Sequence, residues 1–582
     1  MGFLSAPALS PRPDGWIESQ ALLPFAVMAP RLQATLEGNA LSLSLWGGGD
    51  LARLIVAHHW QAPFAYGPNI LTCRGGGLWV AQSRPVILLR GAQARRVTPA
   101  RTAARWATSM PATASVEKHA EGDTSYHLPW GVVRLQQRGN DLALAAGHDA
   151  QECAQALDLT SDGIISEAQA YAGQCDKMPA ATPLLRSMVL AGIHTALASR
   201  RRLADGRFGG LAAGMNYTAP SRTYYRDGYW TLQALLHADP ASVAAQIDLL
   251  AQGIRADGEA PSAVITADKT QLRVWEDFRQ SHPQETLAHA RAGEWWSDHT
   301  DSPLFFILAL DDYCRTCGDD ALLTHYLPQV RAIHNRYKNM AESGGGLPRK
   351  PRHDRDWADN VFRSGHVSYI SGLWLGALAA IARRAATSDS ALAADAAALH
   401  TQGRTAAARL LMTAQGWPCN YRDDTDGFSE DHLSLDCLTL LDGGAFDAPQ
   451  NRAILGHVQS LLETRNNAQQ AHGDWGVMCA WPPYRRRSDL RGKTTFAYRY
   501  HNGADWPWLD GLYARTRLRA GLDGWQYPLL HWWDYGLSQG WTSPVEYYSP
   551  PYGRGSLLQG WSSMAAAAAL EHRATVLAGV TA

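Results

Sequence analysis

The sequence has no long hydrophobic run, almost no net charge and no recognisable leader. No segment of its 582 residues approaches the roughly 20 apolar residues of a membrane-spanning helix, and the richest run, 564–570, is short. The 53 basic residues nearly balance the 54 acidic ones, which argues against broad phosphate neutralisation on nucleic acid. Residues 1–30 lack the basic start of a secretory signal. We expect a cytoplasmic protein that binds neither membranes nor nucleic acid.

Motifs for cofactors and metals are also missing. The chain contains no phosphate-binding Walker loop, no dinucleotide fingerprint and no His-Glu-x-x-His sequence. Its eight cysteines are spread along the chain, and the pair Cys314 and Cys317 has no second pair that would complete a zinc site. We therefore predict free thiols, no metal and no cofactor.

Tryptophan, in contrast, is abundant and clustered. Nine of the 22 tryptophans fall between residues 475 and 561. Flat indole faces suit the apolar faces of sugar rings, although tryptophan also fills protein cores. The aromatic content alone leaves both interpretations open.

Hydrophobic periodicity predicts a multidomain β + α chain. Alternating runs such as 34–46, 85–90 and 130–135 are typical of antiparallel strands, so residues 1–178 are expected to form an N-terminal β-sandwich. From about residue 180 the apolar period becomes helical, and roughly twelve helices favour an (α/α)6 barrel over 179–582. The clearest helical stretches are 240–255, 303–316, 366–386, 391–414, 452–464, 508–521 and 556–577.

Five long polar segments are expected to line a funnel at one end of this barrel. They are 214–229, 257–302, 344–366, 473–508 and 539–556. Most of their charged residues have an ordinary alternative role: Asp227 and Asp301 precede or open helices and so could cap them, and the run 354–359 could be a solvated loop. Glu546, between proline and tyrosine residues, has no evident salt-bridge partner nearby.

Taken in order, the motifs in these segments resemble those of one enzyme family. They are Arg226-Asp227, Asp301, Trp357-Ala-Asp359 with Arg363-Ser-Gly365, His501-Asn-Gly503 with Trp506-Pro-Trp508, and Glu546 with Gly553-Arg-Gly555 and Gln559-Gly-Trp-Ser562. Over about 215–565 this order resembles the C-terminal glucosidase domain of glycogen debranching enzymes, within the (α/α)6 clan of trehalase-type and processing α-glucosidases. The chain departs from that family at Trp357-Ala-Asp-Asn360, where Trp-Met-Asp-Ala is usual, and at Tyr224-Tyr-Arg-Asp227, where Trp-Gly-Arg-Asp is usual.

The resemblance implies an exo-type inverting glycoside hydrolase that acts on oligosaccharides. It implies Asp359 as general acid and Glu546 as general base, with Arg226 and Asp227 holding hydroxyls of the terminal sugar. Inversion needs two carboxyl groups roughly 6.5–9.5 Å apart, one protonated and one ionised. We expect a raised pKa for Asp359 and an ionised Glu546, with Asp356 as the rival acid. The complete set of expected substrate-binding residues is Arg226, Asp227, Trp295, Trp296, Asp301, Trp357, Arg363, His501, Asn502, Asp505, Trp506, Trp508 and Arg554.

Three alternatives stay open at this point. A glycoside phosphorylase would need no base, which Glu546 and the lack of a phosphate-binding cluster argue against. A polysaccharide lyase could use Tyr548, His501 and Arg554, and a non-catalytic scaffold would only bind glycans. The sequence leaves open the sugar, its linkage and anomer, the oligomeric state and the role of the N-terminal domain.

Overall fold

The computed structural model has strands in its first part and mainly helices in the rest. It describes residues 9–46, 49–100, 115–119, 122–128, 131–203, 205–215, 217, 221–266, 294–423, 425–550 and 552–580. Within these ranges, no helix has the length and apolar character needed to cross a lipid bilayer. The predicted cytoplasmic location stays a prediction.

The N-terminal part forms two antiparallel sheets. One sheet has the order β1-β2-β7-β8-β9-β10-β15-β14-β13-β12 and the other β11-β6-β5-β4-β3. The strands are β1 (Ser10–Pro11), β2 (Ile17–Ser19), β3 (Phe25–Met28), β4 (Leu32–Glu37), β5 (Ala40–Leu45), β6 (Gly49–His58), β7 (Gln61–Gly67), β8 (Ile70–Arg74), β9 (Gly76–Val80), β10 (Val86–Arg90), β11 (Ala92–Pro99), β12 (Ser115–Lys118), β13 (Asp123–Leu128), β14 (Gly131–Arg138) and β15 (Asp141–Gly147).

Alternation along each strand creates the core between these sheets. On β5, Leu41 and Leu43 are buried whereas Ser42 between them is exposed, as the two-residue period of a strand requires. These leucines share one apolar core with Ile87 and Leu89 of β10 in the other sheet. The predicted antiparallel β architecture is confirmed.

Two helices cover the outer face of the ten-stranded sheet, and here the sequence prediction was wrong. Helices α1 (Ala150–Leu157) and α2 (Ser161–Cys175) lie where the alternating pattern was expected to continue to residue 178. Their buried residues form a second apolar cluster with Leu88 and Ala145 of the sheet. Two N-caps were the missed signal, because Asp149 and Thr160 each accept a hydrogen bond from a backbone amide of the helix that follows.

The remaining part is predominantly helical. Its helices are α3 (Pro183–Ala198), α4 (Tyr225–Leu235), α5 (Pro240–Ala251), α6 (Ser302–Cys317), α7 (Ala321–His325), α8 (Leu327–Ser343), α9 (Ser368–Arg384), α10 (Ser390–Leu410), α11 (Leu438–Asp442), α12 (Ala448–Leu461), α13 (Pro507–Arg519), α14 (Gln526–Ser538), α15 (Met564–Glu571) and α16 (Arg573–Val580). Short strands lie in the connecting loops: β16 (Arg200–Arg202), β17 (Phe208–Leu211), β18 (Arg222–Tyr224), β19 (Ala263–Ile265), β20 (Glu294–Trp295), β21 (Lys350–His353), β22 (Arg363–Val367), β23 (Tyr421–Asp423), β24 (Phe428–Glu430), β25 (Leu433–Ser434), β26 (Ala480–Trp481), β27 (Tyr548–Ser549) and β28 (Gly553–Arg554).

Six of these helices contact one another in cyclic order. The order is α4, α6, α9, α11, α13 and α15, and α15 contacts α4 again. Helices α3, α5, α8, α10 and α14 pack against members of this set. The other stretches predicted from their period are helices near their expected bounds, whereas 556–577 forms two helices, α15 and α16, of which the first begins at Met564. The predominantly helical assignment is confirmed.

The N-terminal sheets contact a loop of the helical part. Ala26 and Met28 of β3 form a small apolar cluster with Leu558, and the Thr542 hydroxyl donates to the Pro24 carbonyl over 2.8 Å. The supported segment, 541–558, includes Glu546. The domain boundary at residue 178 stays a prediction.

Candidate active site

Two adjacent residues of one loop contact the two carboxylates that the sequence singled out. The Nε2 atom of His501 lies 3.0 Å from Oδ1 of Asp359, and the hydroxyl of Tyr500 donates to Oε1 of Glu546 over 3.4 Å. Because the two residues are consecutive, Asp359 and Glu546 must lie within a few side-chain lengths of each other. Residues 187 positions apart in the sequence are thus brought to one place.

Glu546 is buried and held from several sides. Its side chain accepts a backbone hydrogen bond from the amide of Ser556 over 3.0 Å. A Cβ at Gly555 would lie 2.3 Å from Oε2, so only glycine fits against this carboxylate. Burial raises the pKa of Glu546, nearby Lys493 opposes that rise, and the negative charge of Asp359 adds to it. Glu546 is therefore more strongly desolvated than the sequence suggested.

Asp359 is more open to solvent. Its side chain keeps 30% of its accessible surface. Besides His501, the Asn360 amide donates to Oδ1 of Asp359 over 3.2 Å. The His501 ring is itself fixed because it stacks parallel to Trp506 at a centroid distance of 5.1 Å. A rigid imidazole thus orients Asp359 while leaving one side of the carboxyl group accessible.

Asp356, the rival acid, is locked in a buried ion network. It is fully buried, 2.6 Å from Nη2 of Arg363 and 3.3 Å from Nζ of Lys350. Burial opposes ionisation, but these two cations hold the pKa of Asp356 far below its ordinary value. A carboxylate that two cations hold in its ionised form, without solvent access, is poorly suited to donate a proton.

Arg363 and Trp357, both expected to bind substrate, hold the loop that carries Asp359. Nη1 of Arg363 and Nε1 of Trp357 each donate to Oδ2 of Asp436 over 2.7 Å. The Arg363 side chain is completely buried, and Trp357 is 3% exposed. Their polar atoms are directed at buried carboxylates, which positions the loop that carries Asp359; their predicted contact with substrate stays a prediction.

Arg226 and Asp301 form a second buried network. Nε of Arg226 donates to Oδ2 of Asp301 over 2.6 Å, Nδ1 of His299 lies 2.8 Å from Oδ1, and the Tyr369 hydroxyl donates to Oδ2 over 3.0 Å. Burial alone would raise the pKa of Asp301, but Arg226 and His299 hold it at about 2. Asp301 makes no side-chain cap at the start of α6. It orients Arg226.

Asp227 is a third carboxyl group in the same region. It lies in the first turn of α4, and Nε2 of Gln559 donates to its Oδ1 over 3.1 Å. Burial raises the pKa of Asp227 to about 7, Arg226 opposes the rise, and the charges of Glu546 and Asp359 add to it. The pKa of Asp227 therefore responds to the charges of both Glu546 and Asp359.

Four predicted substrate-binding residues of the segment 501–508 are buried among other groups of the protein. The side chain of Asn502 accepts from the Tyr484 amide and donates to the Thr494 carbonyl. Asp505 is fully buried beside the carboxyl group of Asp510, and burial raises the pKa of Asp505 to about 7. Trp506 and Trp508 are also fully buried. These side chains shape the loop and its core, and their burial leaves no face for a sugar.

The other predicted residues lie at the edge of the site. The Trp295 backbone pairs with Ala263, but its side chain lies outside the described residues. Trp296 is half-buried, with its ring 5.4 Å from that of His299. The guanidinium of Arg554 lies 4.3 Å above the Trp541 ring.

Sequence reasoning missed four nearby side chains: Tyr217, Tyr224, Lys493 and Tyr500. The rings of Tyr217 and Tyr224 lie 5.8 Å apart, edge to face. Burial raises the pKa of Tyr217, and the charges of Glu546, Asp227 and Asp359 raise it further. Tyr224 stands in the aromatic run before Arg226, so that motif could have indicated it, whereas no local pattern marks Lys493.

Backbone strain concentrates in the same loops. Among the described non-glycine residues, left-handed φ angles occur at Asn69 and at five positions in these loops: Trp296, Asp298, Tyr498, Tyr500 and Leu558. Such conformations cost roughly 1–3 kcal/mol each and collect where a structure must hold side chains in fixed places. Tyr500, at φ 53°, is the residue that contacts Glu546.

The described residues contain no group of three His, Cys, Asp or Glu side chains arranged to hold a metal ion. All eight cysteines are free thiols, as predicted. The cations that face the carboxyl groups of the site are protein side chains, Arg226 and Lys493.

The fold is shared with solved structures at low sequence identity. A bacterial glucoamylase complexed with acarbose is 12% identical, with a TM-score of 0.61, over 98% of this chain and 96% of that chain. A rhamnosidase from Klebsiella oxytoca with rhamnose bound is 14% identical, with a TM-score of 0.51, over 98% and 95% of the two chains. The sequence matches no family model and no curated protein.

Proposed function

We propose that the chain is an exo-type inverting glycoside hydrolase that acts on oligosaccharides, with Asp359 as general acid and Glu546 as general base. The proposal includes a closed (α/α)6 barrel, in keeping with the cyclic helix contacts. The fold likeness to a glucoamylase and a rhamnosidase supports glycosidase chemistry, and the contacts of the site support it further.

The observation that carries the proposal is the loop contact of Tyr500 and His501 with the two carboxyl groups. In the reaction, Asp359 gives its proton to the glycosidic oxygen as the bond from the anomeric carbon to that oxygen breaks. Glu546 takes a proton from a water molecule whose oxygen attacks the anomeric carbon on the opposite face. Asp359 is partly exposed, which suits proton donation to a leaving group that departs into solvent. Glu546 is enclosed, which suits the activation of a single bound water.

The charges favour this division of roles. Protonation of Asp359 removes the negative charge that raises the pKa of Glu546, while Lys493, the Ser556 amide and the Tyr500 hydroxyl stabilise the ionised form. Inversion starts from a protonated acid and an ionised base. The stabilising contacts of Glu546 suit the ionised partner.

Several polar residues would hold the terminal sugar by its hydroxyls, on the side away from the leaving group. Arg226 is oriented by Asp301, Asp227 by Gln559, and Tyr217 lies in the field of the same carboxylates. The likeness of the motifs to debranching enzymes makes an α-1,6-glucoside the first substrate to examine.

The test combines product stereochemistry with two isosteric variants. Wild type, Asp359→Asn and Glu546→Gln are incubated with a panel of α- and β-linked oligosaccharides and with matched glycosyl fluorides, and proton NMR follows the first anomer released. We expect inversion by the wild type. Asp359→Asn should lose oligosaccharide hydrolysis by about 10²- to 10⁴-fold yet keep fluoride hydrolysis, because fluoride leaves without a proton.

Glu546→Gln should lose both activities, since no base remains to activate water. The reverse pattern would exchange the two roles, and retention of configuration would reject the mechanism. Equal glycan binding by all three proteins without any turnover would identify a glycan-binding scaffold.

A further inference from the structure

Two aromatic side chains lie exposed beside each other near the candidate active site. Among the described residues, the exposed large hydrophobic side chains are Val116, Phe496 and Tyr552, at 55%, 52% and 45% exposure. Val116 lies on β12 of the N-terminal sheet. The rings of Phe496 and Tyr552 have their centroids only 5.9 Å apart. Paired aromatic rings left in water usually mark a contact surface.

Each of the two rings belongs to a loop that carries part of the site. Phe496 follows Lys493 and precedes Tyr500 in the same loop, and Tyr552 lies in the loop that begins at Glu546. The ammonium of Lys493 is 3.9 Å from the centre of the Tyr500 ring, and Tyr500 contacts Glu546. The pair is therefore on the solvent side of the base, a few side chains away from it.

A guanidinium group connects this pair to the site. The guanidinium carbon of Arg499 lies 4.9 Å from the centre of the Tyr552 ring and 5.9 Å from that of Phe496. Arg499 also opposes the rise that burial causes in the pKa of Tyr547, the residue next to Glu546. Flat apolar faces next to a guanidinium group have the chemistry of a saccharide-binding surface.

We propose that Phe496, Tyr552 and Arg499 bind the leaving-group part of the substrate, namely the pyranose units beyond the bond that is cleaved. The inference rests on the proposed hydrolase function. An exo-type enzyme encloses the terminal sugar, so the remaining units must leave the site on its solvent side. The tryptophans first considered for stacking, Trp506 and Trp508, are fully buried, whereas these two rings are open.

Its test compares a substrate that reaches the aromatic pair with one that does not. Phe496→Ala, Tyr552→Ala and the double variant are compared with wild type on isomaltotriose, on any other oligosaccharide that the panel identifies, and on the fluoride of the same terminal sugar. We expect kcat/KM for the oligosaccharide to fall about tenfold in each single variant, mainly through KM. Hydrolysis of the fluoride should stay within twofold, because fluoride carries no leaving-group sugar.

Val116→Ala serves as the matched control, since it removes an exposed apolar side chain from the N-terminal sheet, outside the loops of the site, and should change neither activity. Equal losses on oligosaccharide and fluoride, or no loss on either, would overturn the inference. Unchanged kinetics together with a changed sedimentation coefficient of the double variant would reassign the pair to self-association.

Failure of the hydrolase proposal gives a different result, namely no turnover of any compound by the wild type. In that case saturation-transfer NMR measures binding of the same oligosaccharides. Binding by the wild type that the double variant loses supports the proposed saccharide-binding surface. Binding that the double variant keeps, or no binding at all, overturns the proposal.

Discussion

Asp356 and Asp359 are three residues apart, yet the same replacement should affect the fold at one position and the chemistry at the other. Asp356 is fully buried between Arg363 and Lys350. Asp359 keeps 30% of its side-chain surface and contacts His501. We predict that Asp356→Asn lowers the free energy of unfolding, whereas Asp359→Asn mainly lowers the catalytic rate.

The magnitude follows from the charges that each replacement leaves behind. Removing one partner of a buried ion pair costs about 3–5 kcal/mol. Without the Asp356 charge, Arg363 retains Asp436 as a carboxylate partner. Among the described residues, Lys350 retains its hydrogen bonds to the backbone carbonyls of His353 and Arg363. Lys350 can relieve the imbalance by losing its proton, because burial already lowers its pKa to about 8 despite the opposing charge of Asp356.

Asp356→Asn should therefore lower the free energy of unfolding by about 3 kcal/mol at pH 8. The decrease should be larger towards pH 6, where deprotonating Lys350 becomes more costly. The sign follows from a lysine pKa that is lower in the folded than in the unfolded state, since acid then favours the unfolded chain. Asp359→Asn weakens one partly exposed hydrogen bond, worth about 1 kcal/mol.

Urea unfolding followed by tryptophan fluorescence at pH 6 and pH 8 measures the first effect, and hydrolysis of the identified oligosaccharide measures the second. Asp359→Asn should unfold near the wild-type urea midpoint and lose activity by about 10²- to 10⁴-fold. An Asp356→Asn protein as stable as wild type at both pH values, but inactive, would refute this reasoning and make Asp356 the acid.

Three further predictions concern other buried groups. Lys493→Met removes the cation that opposes the rise in the pKa of Glu546, so the acidic limb of the kcat/KM profile should move to higher pH; an unmoved limb would exclude this coupling. Burial raises the pKa of Asp505 to about 7 and that of Asp510 well above its usual value, so the stability that this pair contributes in its protonated form is fully present below about pH 4 and lost as pH rises towards 7. Asp510→Asn should reduce that loss relative to wild type by about 1.4 kcal/mol for each unit of displaced pKa, measured as the urea midpoint between pH 4.5 and 7.5; parallel curves for the two proteins would contradict it. Trp508→Ala should lower the unfolding free energy by about 3–5 kcal/mol because the indole is fully buried, and a normal urea midpoint with weakened sugar binding would instead make it a binding residue.

Much of the fold could be predicted because burial imposes a period on the sequence. The run 34–46 alternates and forms the hairpin of β4 and β5, and the helical periods located α5, α6, α9, α10, α12 and α13. Helix α1 was missed because it has only eight residues, and α2 was missed because its buried stripe gives a weak period.

The site was predictable only as a set of loops. A polar segment indicates that side chains are available for chemistry. It does not indicate which of them form hydrogen bonds or ion pairs with other residues of the protein. Arg363 and Trp357 stand beside Asp359 in the sequence, yet both donate to Asp436. That partner lies in another element and carries no motif, so no local spacing could reveal the pairing.

Tryptophan content was equally ambiguous. A sugar-binding surface and an aromatic core need the same residue type, and only solvent exposure separates them. Trp506 stacks on His501, which contacts Asp359, so its contribution to the site is to fix the histidine.

The two kinds of carboxylate in this region differ in the number of fixed partners, and that difference is informative about function. Asp301 and Asp356 each pair with buried cations, which makes their ionisation constant across the physiological pH range. Asp359 and Glu546 are instead contacted by an imidazole and by a tyrosine hydroxyl, which are weaker partners for a carboxylate than a guanidinium group. Preorganised charges around exchangeable protons are what acid–base catalysis requires. This contrast between carboxylates paired with buried cations and carboxylates with weaker partners is the reason why the proposed mechanism assigns the acid and base roles to Asp359 and Glu546.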